Sequence, residues 1–162
     1  MKIEAQKNVI IERNELLPEQ QVDTFRLFGN LQSEILARPA TIAVTGNTDD
    51  YIIAPYSGVL ISVDFSGVDA LAANDTNYIT FSITNLGRDG AGSTAVLSAT
   101  DDNTTKATGG TAISANTVRE LLISNAINAT RVQQGDRLRI RAAVTNTLAN
   151  TVTFQIYIIR FK

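Results

Sequence analysis

The chain has 162 residues, a net charge of -2 and 44% hydrophobic residues, which bounds it to one ordinary domain with one core. It has no Cys, His or Trp, so disulfides, Cys or His zinc sites and Cys or His nucleophiles are excluded. A pI near 5.1 argues against nucleic acid as a partner of the whole chain.

Residues 1–13 are mixed and polar around Val9, Ile10 and Ile11 and read as an arm or edge strand. The opening Met1–Asn8 stretch is too polar for a signal-peptide core, and no apolar run approaches the ~18 residues of a membrane span. The expectation is a soluble chain made in a cytoplasm. Pro18 and Glu19 suit the first turn of a helix. Val22, Phe25, Phe28, Leu31 and Ile35 then recur every three or four positions, and Arg38-Pro39 ends the pattern. The spacing predicts a helix over 18–37. Its apolar face either covers an open end of the chain's own core or packs on other subunits.

From Pro39 onward the period is two. Ile42 and Val44 alternate with Thr. Val59, Ile61, Val63 and Phe65 alternate with Leu60, Ser62 and Asp64. Ile79, Phe81 and Ile83 alternate with polar residues, and Leu138, Ile140, Ala142 and Val144 alternate with Arg137, Arg139, Arg141 and Ala143. Each reads as a half-buried antiparallel strand. Weaker strands fall near 50–54, 94–99 and 117–124, and 152–161 is apolar on both faces. Turn residues separate these runs at 45–47, 56–58, 87–90, 108–110 and 133–136. About eight strands and no βαβ alternation predict an all-β fold, an antiparallel β-sandwich or jelly roll over 39–162, preceded by the helical arm of residues 1–38. The 19 Thr and 13 Asn make up about a fifth of the chain. They fall on outward strand faces, where β-branched Thr fits, and in the polar stretch 99–117, expected to be surface loop.

Few residues are placed for chemistry. Asp49-Asp50 and Asp101-Asp102 lie in turn-like segments where neighbouring acids are normally solvated. Asp101 to Thr105 offers several oxygens to calcium but lacks the EF-hand pattern of Gly and Glu. Gly87 to Gly92 lacks the Gly-Lys-Ser/Thr of a phosphate loop. No cofactor, metal or small-molecule substrate is expected. The strongest local feature is Arg137, Arg139 and Arg141, which project from one face of one strand. Three like charges ~7 Å apart repel unless something acidic faces them. Either a neighbouring strand supplies the acid, or the row meets solvent or an anionic partner such as another subunit. Charge is also uneven along the chain: residues 39–118 hold two basic and eight acidic side chains, residues 119–162 seven and two.

The stretch from Asn74-Asp75-Thr76-Asn77-Tyr78 through Gly87-Arg88-Asp89-Gly90, then Ala99 to Ala112, Gln134 to Leu138 and Thr147 to Asn150, resembles small structural proteins of tailed bacteriophages, including capsid decoration (cement) proteins. Ala54 to Leu60 resembles the opening strands of such virion sandwiches. The likeness spans roughly 40–160 and leaves residues 1–38 unplaced. It implies a jelly-roll-like domain, often trimeric, on the capsid surface, clamping neighbouring subunits of the major capsid protein, and it carries no catalytic residue. Nucleic-acid and membrane partners are not expected. The alternative is a tail-fibre or receptor-binding module for cell-surface carbohydrate; a secreted trimer similar to tumour necrosis factor and an enzyme rank below it.

Overall fold

The computed structural model describes residues 40–161, with side chains described over 41–153. The helix expected over 18–37, and with it Val22, Phe25, Phe28, Leu31 and Ile35, lies outside the described residues.

The described chain is all-β. Nine strands follow one another: β1 (Ala40–Ile42), β2 (Gly46–Ile53), β3 (Gly58–Gly67), β4 (Tyr78–Asn85), β5 (Thr94–Ala95), β6 (Val118–Leu121), β7 (Arg131–Val132), β8 (Arg137–Thr145) and β9 (Val152–Phe161). One 3-10 turn, Asp101–Asn103, is the only helical element among the described residues. The strands form two antiparallel sheets, ordered β1-β9-β3-β6 and β2-β8-β4-β5, and β7 extends the first by pairing with the start of β3. The pairings are nested. β4 meets β5, β3 meets β6, β2 meets β8 and β1 meets β9. The path is therefore one long hairpin whose successive pairs alternate between the two sheets.

Strict alternation builds the inner faces. Ile79, Phe81 and Ile83 of β4 and Leu138, Ile140 and Ala142 of β8 are all buried, and they join Leu60, Val63, Phe65, Leu121 and Val152 of the first sheet in one apolar cluster. Phe65 and Phe81 meet across the two sheets with ring centroids 4.8 Å apart and planes tilted by 39°. A tilted aromatic pair adds about 0.5–1.5 kcal/mol to the area it buries.

β3 departs from the pattern expected of it. Val59 and Ile61 are 38% and 43% exposed, whereas Leu60 is 1% exposed. The register against β9 shifts between Leu60 and Ser62. An irregularity of this kind flips every side chain on one side of it to the other face. Leu60 before the shift and Val63 and Phe65 after it all point inward, and no single period-two frame holds the three. The paired acids Asp49-Asp50 also sit inside β2 rather than in a turn. The turn ahead of them ends at Gly46, whose φ of +75° suits glycine.

The polar stretch after Ala99 is not simply surface loop. Asn103, Thr104 and Thr105 are buried. Asn103 donates through Nδ2 to the Ser98 and Leu122 carbonyls, both at 2.8 Å, and its Oδ1 accepts from the Leu122 N–H at 2.7 Å. Arg119 of β6 lies over the Phe65 ring at 5.7 Å and donates to the Thr111 carbonyl at 2.6 Å, the Thr104 carbonyl at 3.0 Å and the Asp102 carbonyl. Burial holds its pKa below the usual arginine value, opposed by Asp102.

Two stability measurements check these points. Leu60→Ala is expected to cost about 2–4 kcal/mol and Ile61→Ala less than about 1 kcal/mol in urea unfolding, because only the first opens a core cavity; equal costs would disprove the register shift. Asn103→Ala is expected to cost about 2–4 kcal/mol, since it leaves the Ser98 carbonyl and the Leu122 N–H without their partner, while the Leu122 carbonyl keeps the Ser98 N–H.

Candidate partner-binding face

β8 is positioned by the turn that precedes it. Gly135 takes a φ of +87°, and Asp136, 7% exposed, accepts from the Gln133 N–H at 2.8 Å and from the Asn85 side-chain amide at 2.9 Å. This fixes the start of β8 against the end of β4, with Leu86 N–H donating to the Arg137 carbonyl at 2.8 Å. From there the alternation sends Leu138, Ile140 and Ala142 inward and Arg137, Arg139 and Arg141 to the outer face of the sheet.

Each arginine meets a different neighbour. Arg141 lies directly opposite Asp49 and grips it with both prongs, Nε to Oδ1 at 2.6 Å and Nη2 to Oδ2 at 2.7 Å. Their side chains keep 28% and 23% of their exposure, so the pair contributes about 0.2–1 kcal/mol. The hydrogen bond from Arg141 holds the Asp49 carboxyl below its usual pKa and raises that of Arg141. Arg137 sits with its guanidinium 4.0 Å from the centroid of the Tyr51 ring, a cation–π contact on the diagonal of the β2–β8 ladder. Arg139 lies between them and donates to Thr84 Oγ1 at a long 3.4 Å, while its Nε is buried without a hydrogen bond.

The structure thus places all three sequence-predicted arginines on one face. Only Arg141 takes up a neighbouring acid; Arg137 is exposed and Arg139 is half-buried. Of the partners, Asp49 is marked in the sequence only as half of a solvated Asp49-Asp50 pair, and Tyr51 and Thr84 carry no mark as partners. Asp49 and Tyr51 share parity with Ile53, a signal hidden because 45–47 read as a turn, Asp49-Asp50 as turn-like and only 50–54 as a weak strand. The calcium reading of Asp101–Thr105 loses a donor, because the Asn103 side chain is consumed by Ser98 and Leu122. Among the described residues no group of three or more acids is placed to hold a metal, and no helix is long and apolar enough to cross a membrane.

No protein-family model, curated protein or solved structure matches this chain. Its function is read from the chemistry of the face. That face holds three guanidinium groups against Asp49, together with Tyr51, 38% exposed, and Ile53, 68% exposed. It can bind a surface bearing carboxylates and apolar groups.

The Asp49 pair has a pH signature. A carboxyl whose folded pKa is depressed contributes stability above its unfolded pKa, here 3.8, and loses it as pH falls through the lower folded value. Asp75, held low by the Thr108 N–H and hydroxyl, follows the same sign. Urea unfolding of Asp49→Asn between pH 6 and pH 2.5 is expected to show a flatter acid limb than the parent, with a loss below about 1 kcal/mol at pH 6; an unchanged limb would mean that the pair contributes nothing.

Proposed function

We propose that the chain is a non-enzymatic structural protein of a phage virion. It decorates the capsid surface, binds the lattice of the major capsid protein and assembles as a homotrimer. The reading takes the fold to be a jelly-roll sandwich. The nested strand pairs and the orders β1-β9-β3-β6 and β2-β8-β4-β5 support that, since winding one long antiparallel hairpin produces such an order. The resemblance of residues 40–160 to phage cement proteins supports the virion role.

The observation that carries the reading is the Arg137–Tyr51 stack beside exposed Ile53. Arg and Tyr are the residue types that concentrate binding energy in protein interfaces. A stacked guanidinium is ordered before it binds, so less side-chain freedom is lost on docking. Arg139 and Arg137 keep donors for acidic side chains of a coat subunit, where their planar forks bind two-pronged. The mechanism is added interface. Burying ~1,600 Å² per contact suffices for stable association, and repetition over a lattice adds avidity. Residues 1–38 serve as the tether.

Co-sedimentation with capsids of the phage that encodes the chain tests this. The parent protein is expected to saturate the lattice, and Arg137→Glu combined with Tyr51→Ser to bind at least about tenfold more weakly, some 1.4 kcal/mol, with its circular dichroism unchanged. Absence of binding by the parent overturns the proposal; unchanged binding by the variant removes this face from it; and unchanged binding after deletion of 1–38 removes the tether. A light-scattering mass other than three chains removes the trimer.

A further inference from the structure

A second feature lies on the same sheet, at the other edge of the outer face. β5 pairs with β4 only at Thr84 and Asn85, and Val96 N–H still reaches the Ile83 carbonyl at 2.8 Å. The chain then leaves β4. Leu97 bridges to Ile123, and Ser98 N–H donates to the Leu122 carbonyl at 2.9 Å. It returns only at Thr104, which bridges Thr80, and at Thr105, whose N–H reaches the Ile79 carbonyl at 2.9 Å. Between departure and return a groove of about 290 Å³ opens. Its floor includes Tyr78, Thr80, Ser82 and Thr84, and Ser98 and Asp101 contribute to its wall.

The floor residues alternate along β4, so their side chains stand on one face, ~7 Å apart. Three of the four are aliphatic hydroxyls and the fourth is a tyrosine. Among the described residues, the hydroxyls of Tyr78, Thr80 and Ser82 make no hydrogen bond. Arg139 donates to Thr84 at the inner side of the floor, and Arg141 is the cross-strand partner of Ser82.

We propose that this groove is a saccharide-binding site. A hydroxyl both donates and accepts, so a row of them matches the alternating donors and acceptors of a sugar ring. The Asp101 carboxylate accepts from sugar hydroxyls, and the Tyr78 ring offers a face to the apolar side of a pyranose. The volume lies at the lower limit of ~300 Å³ for ligand sites, the size for one ring or the middle unit of a chain. Asp101 disfavours phosphate and other anions. Asp101 is the only carboxylate among the groove's lining residues, and among the described residues no group of three or more acids is placed to hold a cation. The proposal does not depend on capsid binding, since that reading rests on Arg137, Tyr51 and Ile53, none of which lines the groove.

The test is an amide ¹H–¹⁵N NMR titration of the full chain with glucose, galactose, mannose and N-acetylglucosamine in turn, each to about 100 mM. Weak single-ring binding, with Kd on the order of 1–10 mM, is expected for at least one. The shifted amides should fall within 78–84 and 95–101. Thr80→Val with Ser82→Val removes two hydroxyls while keeping residues favoured in strands, and is expected to weaken binding at least about tenfold; the same spectra report whether it folds. Ser82→Ala serves if it does not. No saturable shift with any of the four sugars overturns the proposal, as do shifts confined to other residues or shifts that persist in the folded variant.

Discussion

Asn103 solves the hardest problem this fold sets. A nested hairpin has to cross from β5 to β6 over the end of its own core, and the crossing segment, 99–117, is mostly polar, with Ile113 its one core side chain. Its backbone passes over buried ground, where each unpaired N–H or C=O costs about 1–3 kcal/mol. The Asn103 side chain supplies a local substitute for a strand. Its amide binds Ser98 and Leu122 as a neighbouring backbone would. Arg119 completes the arrangement by taking three carbonyls of the same stretch with one guanidinium. β6 follows directly on this crossing and registers with β3 over Val118–Leu121.

The second sheet carries the arginine row because one alternation serves two purposes. β8 puts aliphatic side chains into the core and arginines outside in the same nine residues. Like charges at every second position are unfavourable on their own. The sheet relieves them unequally: a carboxylate for Arg141, a ring for Arg137 and a long contact to a hydroxyl for Arg139. The last is the least satisfied. An arginine with a buried, unbonded Nε and no described acid of its own is held in place by the strand more than by its partners. Among the described residues, Arg137 and Arg139 thus hold no carboxylate, unlike Arg141.

What could be read from the sequence follows from the same physics. β4 and β8 were visible because they are central strands with an uninterrupted period of two, and the arginine row came with them. The first half of β3 is misleading in the sequence, because the register shift near Ile61 is set by pairing with β9, not by local composition. β2 was split between a turn and a weak strand, since its Gly, Asn and Asp residues are those that usually make turns; pairing with all eight of its residues by β8 overrides that preference. β7 is two residues long and has no periodicity to detect. Asn103 and Arg119 were invisible because their roles are tertiary. An Asn in a run of Asp and Thr carries no mark that distinguishes a buried amide from a solvated one.

The groove beside β4 follows from how this sheet ends. An edge strand left fully open would present a row of unpaired N–H and C=O groups to other chains. Here the edge of β4 is covered at both ends, by β5 at Thr84–Asn85 and by Thr104–Thr105 at Ile79–Thr80, while the middle is spanned by chain that has moved away to meet Leu122 and Ile123. Covering the ends suffices to block an incoming strand, which needs several consecutive residues to pair. It leaves a gap too short for a strand but wide enough for a small polar molecule. The gap is floored by the residues that the outer face of β4 already required, β-branched or small and polar. The same Thr surplus that dresses the strands therefore also lines this concavity at the sheet edge.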